Sequence, residues 1–464
     1  MAHLYLSASQ KSSGKTTLSI GLIREFHRRG RSVQPFKKGP DYIDPLWLAR
    51  AAGGRACHNL DYHTMPVEEI RGDFQRLLHT STLGLIEGNV GLFDSIHVNG
   101  AGSNAELAKL LAAPLVLVIN AQGMGRGIAP LLLGYQAFDP ELWIGGVILN
   151  KVGGSRHESN LRRVIEHYTD LPVLGALPRS AELAIEERHL GLIPSNEAMA
   201  VEMTIEAIHR AVVATVDVER VLELAERAPA PPSEPASWAP AWPRPEARIA
   251  SGETAVRIGI AQDEVFGFYY PDDLAGLARA GAELVPFSPL ADAALPAVDG
   301  LILGGGFPES RMAELEANRS MRESIAAFIA DGGVAYAECG GLMYLCQRLH
   351  WGRQSRAMCG VLAADVAMHD RPQGRGYVHL RETDAFPWPG AAASDICAHE
   401  FHHSAIVETR PDWRYAYDVL RGTGIDGRHD GIIHHNLLAS YAHLRDVGAV
   451  NWTGRFVDRI RSSR

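Results

Sequence analysis

One cysteine has a neighbourhood suited to nucleophilic chemistry: Ala335-Tyr-Ala-Glu-Cys339-Gly-Gly-Leu-Met343. Apolar residues lie on both sides of it, which predicts a strand, a sharp turn and a helix. Such a turn brings a thiol to the carboxyl edge of a sheet, beside free backbone N–H groups, as attack on a carbonyl requires. Free cysteines are usually buried and inert, but the Glu-Cys-Gly-Gly setting favours a nucleophile. Gly304-Gly-Gly-Phe-Pro-Glu309 follows another predicted strand. Its glycines, Gly305 among them, and the Gly340 N–H are expected to form an oxyanion hole. Cys57, Cys346, Cys359 and Cys397 lack such a setting and read as structural.

A thiol nucleophile needs an imidazole to take its proton. Candidates lie in His399-Glu-Phe-His402-His403, in His434-His435 and in Ser440-Tyr-Ala-His443-Leu. None of these spacings matches a helical HExxH zinc site.

A second chemistry lies more than three hundred residues upstream, in Ser12-Ser-Gly14-Lys15-Thr16-Thr17. A predicted strand, Leu4 to Ser9, leads into it and a predicted helix, Lys15 to Arg29, leads out. Loop N–H groups and the helix N-terminus are suited to phosphates, Lys15 to the outer phosphates and Thr16 to Mg²⁺. The usual pattern has glycine five residues before Gly14; here Ser9 stands there. Phe36-Lys37-Lys-Gly-Pro-Asp41-Tyr42-Ile-Asp44-Pro ends a second strand, where open α/β sheets bind ligands. Glu87, ending a third strand in Ile86-Glu87-Gly-Asn-Val-Gly-Leu-Phe-Asp94, is a hard oxygen ligand suited to Mg²⁺. Asn150, ending a later strand, is a candidate contact to the nucleotide base.

These motifs need parallel sheets to carry them. Apolar runs at 3–8, 32–36, 83–87, 114–120, 144–149 and 172–177 alternate with helical stretches, notably 15–29, 105–112 and 156–168. That alternation predicts a doubly wound parallel sheet. It returns after residue 253, with strands near 256–261, 282–287, 300–304 and 333–337 and helices near 271–280, 319–330 and 341–348. Between the two, residues 229–245 hold seven prolines, which excludes a regular helix or strand. The expected organisation is a nucleotide domain over 1–228, a linker over 229–252 and a thiol domain over 253–464.

Composition bounds the partners. A chain of 464 residues exceeds one ordinary core. Its net charge of -9 argues against nonspecific binding to nucleic acid or membranes. Its apolar runs are too short for a membrane span or a signal peptide. Five cysteines without CxxC spacing fit a reducing cytoplasm.

Together these segments resemble the cobyrinic acid a,c-diamide synthase family, over essentially the whole chain. The resemblance is carried by GKTT, FKKGPDYIDP, EGNVGLFD, GGVILNKV, SRHE, RHLGL, GGGFPE, AECGGLMYL, HEFHHS and ASYAHL. It implies a dethiobiotin-synthetase-like P-loop domain followed by a class I glutamine amidotransferase domain of flavodoxin-like fold. It implies that ATP, Mg²⁺ and glutamine turn the a and c acetate carboxylates of a tetrapyrrole into primary amides through acyl phosphates. No permanent cofactor is implied, and a homodimer is allowed. The resemblance assigns Cys339 as amidase nucleophile and His443 as its activator. It places Gly14, Lys15, Thr16, Thr17, Lys37 and Asn150 around the nucleotide. Asp41, Tyr42 and Asp44 fall to substrate or intermediate, and Thr16, Asp41 and Glu87 to Mg²⁺. The acid usual two residues after the histidine is replaced by Arg445.

The macrocycle itself is less constrained. The resemblance implies a substrate among cobyrinate, hydrogenobyrinate and nickel-sirohydrochlorin, or sirohaem, which is proposed for some relatives. Ser95 follows Phe93-Asp94 where glycine is usual, and His403 replaces a tyrosine. Segments 126–130 and 436–448 look more like the sirohaem-amidating branch, so the reading leans slightly that way. Two rival readings are a dethiobiotin-synthetase-type ligase with an idle amidotransferase domain and a non-catalytic tetrapyrrole-binding protein. Glutamine-independent activity would favour the first; binding without turnover would favour the second.

Overall fold

The computed structural model describes residues 1–180, 183, 185, 187–188, 191–192, 194–195, 201–231, 255–390, 395–448 and 450–464. It divides into two compact units, Met1–Trp238 and Ala239–Arg464. Most of the expected linker, residues 232–252, lies outside the described residues.

Seven strands form the sheet of the first unit: β1 (Ala2–Ala8), β2 (Val33–Lys38), β3 (His58–Leu60), β4 (Leu83–Glu87), β5 (Leu115–Asn120), β6 (Ile144–Val152) and β7 (Val173–Pro178); six fall on the expected apolar runs, and β3, His-Asn-Leu, does not. Their order is β3-β2-β4-β1-β5-β6-β7, and every neighbouring pair is parallel. β2 and β4 are buried along their whole length, as strands covered by helices on both faces must be. The chain runs to one side of β1 for β2–β4 and to the other for β5–β7. The loop after β1 therefore opens at the point where strand order reverses, where such sheets bind ligands. Helix α1 (Lys15–Arg28) follows it and buries Leu18, Leu22 and Phe26 at helical spacing. Register aligns Glu87 with both Lys37 and Leu6 at the sheet's carboxyl edge.

The second unit is built on nine strands in the order Ala282–Phe287, Val256–Ala261, Gly300–Leu303, Val334–Glu338, Leu437–Ser440, His429–His434, Arg414–Arg421, Gly374–Glu382 and Ile396–His402. The first five are parallel; the last four join antiparallel. The periodicity reading found four of the five parallel strands, missing Leu437–Ser440, and none of the antiparallel extension. Strand Val334–Glu338 lies mid-sheet, with Glu338 in register with Ser440. That register carries Ser-Tyr-Ala-His443 to the cysteine turn. No described helix is long and apolar enough to cross a membrane.

Candidate active sites

Cys339 sits between the strand Val334–Glu338 and the helix Gly340–Leu345. Its backbone, at φ 45° and ψ -99°, lies where non-glycine residues rarely go. Two hydrogen bonds hold it there: its N–H donates to Ser440 O at 2.8 Å, and Met343 N–H donates to its carbonyl at 3.0 Å. The following residue must lack a side chain, because a Cβ on Gly340 would stand 2.7 Å from the Gly306 carbonyl oxygen. This is a strained strand-turn-helix elbow, as the motif predicted.

His443 packs against Gly305, whose Cβ position lies 2.7 Å from His443 Cε1. It hydrogen-bonds to Cys339, and its Nδ1 lies 3.1 Å from Glu338 Oε2. Burial works against its charge, but Cys339 and Glu338 outweigh burial and raise its pKa to about 10. Glu338, although part of the quoted motif, was not singled out by the sequence reading. Arg445 turns away and donates to Asp272 Oδ2 at 2.8 Å.

The remaining histidines separate clearly. His399 stacks on His443 with ring centroids 5.2 Å apart. His402 is buried, stacked 3.8 Å from Tyr441 and hydrogen-bonded to Ser404 O. His403 is also buried, while His434 and His435 are exposed. All five cysteines are free. Burial pushes the Cys57, Cys346 and Cys359 thiols up, Cys359 to about 12.

In the first unit, Gly14 ends the loop at φ 93°, a left-handed conformation that favours glycine. The Asn150 amide fills the space its Cβ would occupy and donates to Ser13 O at 2.8 Å. Asn150 therefore braces the phosphate loop. Lys15 Nζ donates to Val90 O at 2.8 Å, and Thr16 Oγ1 donates to Glu87 Oε1 at 2.9 Å. Thr17 is half-buried in the first turn of α1. Burial, then the charge of Lys37, lowers Lys15 to about 8.

Lys37 gathers the acids of this site. It is bonded to Asp44, lies 2.7 Å from Glu87 Oε1 and 3.6 Å from Asp41 Oδ2. Burial opposes its charge, but Asp44, Glu87 and Asp41 hold its pKa well above the ordinary value. Burial and the neighbouring Asp44 push Asp41 up to about 7, although a third of its side chain faces solvent. Asp41 also accepts from Ile43 N–H at 2.9 Å, and Tyr42 is buried at the start of the helix Ile43–Ala51. Thr16, Asp41 and Glu87 offer hard oxygen donors that fit Mg²⁺. Glu87 Oε2 is buried, and the nearby Ser19 hydroxyl does not complete a hydrogen bond to it.

Residues 6–193 match the family model described as the CobQ/CobB/MinD/ParA nucleotide binding domain. Residues 257–446 match the CobB/CobQ-like glutamine amidotransferase domain. A cobyrinate a,c-diamide synthase of Magnetococcus marinus is 45% identical over 451 residues, covering 97% of this chain and 95% of that protein. The chain belongs to the cobyrinate a,c-diamide synthase family. Proteins of the same name from Methanosarcina acetivorans and Methanothermobacter thermautotrophicus are 40% and 39% identical. The first covers 99% of this chain and 96% of its own length; the second, 97% and 98%. As a family member, the chain is a glutamine-hydrolysing amide ligase, with ATP and glutamine as fitting substrates.

Proposed function

We propose that this chain amidates the a and c acetate carboxylates of cobyrinate, spending ATP and one glutamine per amide. The supporting observation is near-full-length similarity to proteins of that name, in a chain with both motif sets intact. A carboxylate is a poor acyl donor because its oxygen leaves badly. Transfer of a phosphoryl group to it gives an acyl phosphate, from which phosphate leaves readily. Lys15 and the loop N–H groups meet the charge that develops during this transfer. Mg²⁺, held by Thr16, Glu87 and Asp41, would supply neutralising charge at the phosphates. Lys37 holds the Asp44 carboxyl below its ordinary range against the effect of burial, and its ammonium ties Asp44 and Glu87 in place.

In the second unit the Cys339 thiolate attacks the glutamine side-chain carbonyl. Protonated His443 gives its proton to the departing nitrogen, releasing ammonia and leaving a glutamyl thioester. Water clears the thioester to glutamate. Ammonia then displaces phosphate from the acyl phosphate.

The test is incubation with MgATP and glutamine on cobyrinic acid and, separately, on sirohaem, followed by mass spectrometry. Two successive gains of amide mass on cobyrinic acid are expected. Amidation of sirohaem alone would replace the proposed substrate by the one the divergent segments favour. Binding without amidation of either would overturn the catalytic reading.

A further inference from the structure

His443 has one ring nitrogen for the thiol, and what meets the other decides its tautomer and charge. The residue two positions on, Arg445, is a cation paired with Asp272. The nucleophile's own strand supplies the carboxylate instead. We propose that Glu338, immediately before the nucleophile, is the positioning carboxylate that fixes the Nδ1 proton of His443 and sustains the thiolate–imidazolium pair. This rests on the reading of Cys339 as nucleophile.

The elbow makes the arrangement available. In a regular strand Glu338 and residue 339 would point to opposite faces. The abnormal backbone of Cys339 turns the thiol out of that alternation, so consecutive side chains reach one imidazole. The carboxylate is also clamped. Its Oε1 accepts from Leu444 N–H at 2.9 Å and from the Tyr336 hydroxyl at 2.5 Å, leaving Oε2 to His443. The segment carrying His443 is fixed on its other side by Asp430, which accepts from Tyr441 N–H at 3.0 Å and Ala442 N–H at 2.9 Å. The backbone on either side of the imidazole is thus tied to two buried acids, Asp430 before it and Glu338 after it, and Glu338 also meets the ring at Nδ1.

Other groups around His443 do not replace this carboxylate. His399, from the edge strand, stacks on the ring and brings no negative charge. Asp272 is taken by Arg445. Asp273, on the helix Pro271–Arg279, accepts from Asp446 N–H, and burial pushes its pKa well up. Tyr336 acts through Glu338, to which it donates. His443, raised to about 10, keeps its proton across neutral pH and loses it only as pH approaches that value.

A Glu338→Gln variant keeps an oxygen for Leu444 but has lost the negative charge. The test is the pH dependence of Cys339 alkylation by 6-diazo-5-oxonorleucine in the full chain, read by peptide mass spectrometry from pH 5 to 10. A carboxylate at this range supplies roughly one to three pKa units. The pH at which His443 loses its proton, and with it imidazolium-assisted labelling, should therefore fall by roughly one to three units in Glu338→Gln, with the largest loss of labelling rate between about pH 8 and 10. Glu338→Asp should recover part of the shift. A wild-type rate and midpoint in a folded Glu338→Gln variant would overturn the assignment. Should the variants fail to fold, histidine NMR of the wild-type chain decides: a His443 midpoint at or below the ordinary imidazole value refutes it. Absence of Cys339 labelling in the wild type would instead refute the nucleophile reading.

Discussion

Lys37→Met is the most demanding perturbation of the first unit. The methionine fills the space of the lysine stem but leaves Glu87 and Asp44 around an uncharged group. Glu87 is fully buried and Asp44 has 17% of its side chain exposed, so solvent cannot replace the lost cation. Breaking a buried pair in this way costs about 3–5 kcal/mol. For a unit of this size, that corresponds to a melting shift of roughly 6–20 °C. The deficit should depend on pH with a defined sign. Burial already raises Glu87 above its ordinary pKa, and loss of Lys37 raises it further. A carboxyl raised in the folded state destabilises as pH rises above its unfolded value. The deficit should therefore be largest above pH 7 and shrink toward pH 5. Calorimetry across that range, with hydrogen exchange over 33–38 and 83–87, measures it. Glu87→Gln in the Lys37→Met background should restore part of the stability. An unchanged melting point at pH 7.5, or a deficit that grows as pH falls, would refute the ion-pair account.

Cys339→Ser should lose glutamine-dependent amidation yet retain amidation driven by high ammonium; wild-type glutamine hydrolysis in this variant would remove the nucleophile assignment. Lys15→Ala should lose amidation from either nitrogen source by at least roughly 10²-fold. In the wild type, Lys15 deprotonates near pH 8, so nucleotide affinity measured by titration calorimetry should weaken above that pH. His443→Ala should slow covalent labelling of Cys339, whereas His402→Ala, which removes a ring stacked on Tyr441, should act mainly on stability; the opposite pattern would move the activating role to His402.

Most of the parallel strands were legible because a buried parallel strand is a short continuous apolar run between turn signals; the short strands His58–Leu60 and Leu437–Ser440 were not. The antiparallel edge of the second unit was not. Gly374–Glu382 and Arg414–Arg421 mix charged and apolar residues and pair by register with distant segments, which periodicity does not report. The site motifs were legible where chemistry and backbone demand coincide, as at Gly14-Lys15-Thr16 and Cys339-Gly340. Glu338 escaped because its role depends on a contact with a residue 105 positions away. Asn150 was a candidate contact to the nucleotide base, and its amide also braces the loop through Ser13 O, a contact the sequence does not report. The sequence named the residue, but only the fold shows which way its side chain turns.

The pairing of Val334–Glu338 with Leu437–Ser440 also sets the order in which the enzyme comes alive. The thiol is translated well before its imidazole, since His443 follows Glu338 by 105 positions. At ordinary synthesis rates that interval lasts about 5–20 s. During it, the Ser440 carbonyl that holds the elbow does not yet exist, and neither does the imidazole proposed to activate the thiol. On the proposed roles of Cys339 and His443, glutamine hydrolysis is withheld from the nascent chain until the strand Leu437–Ser440 inserts, by which time the nucleotide-binding unit has been made.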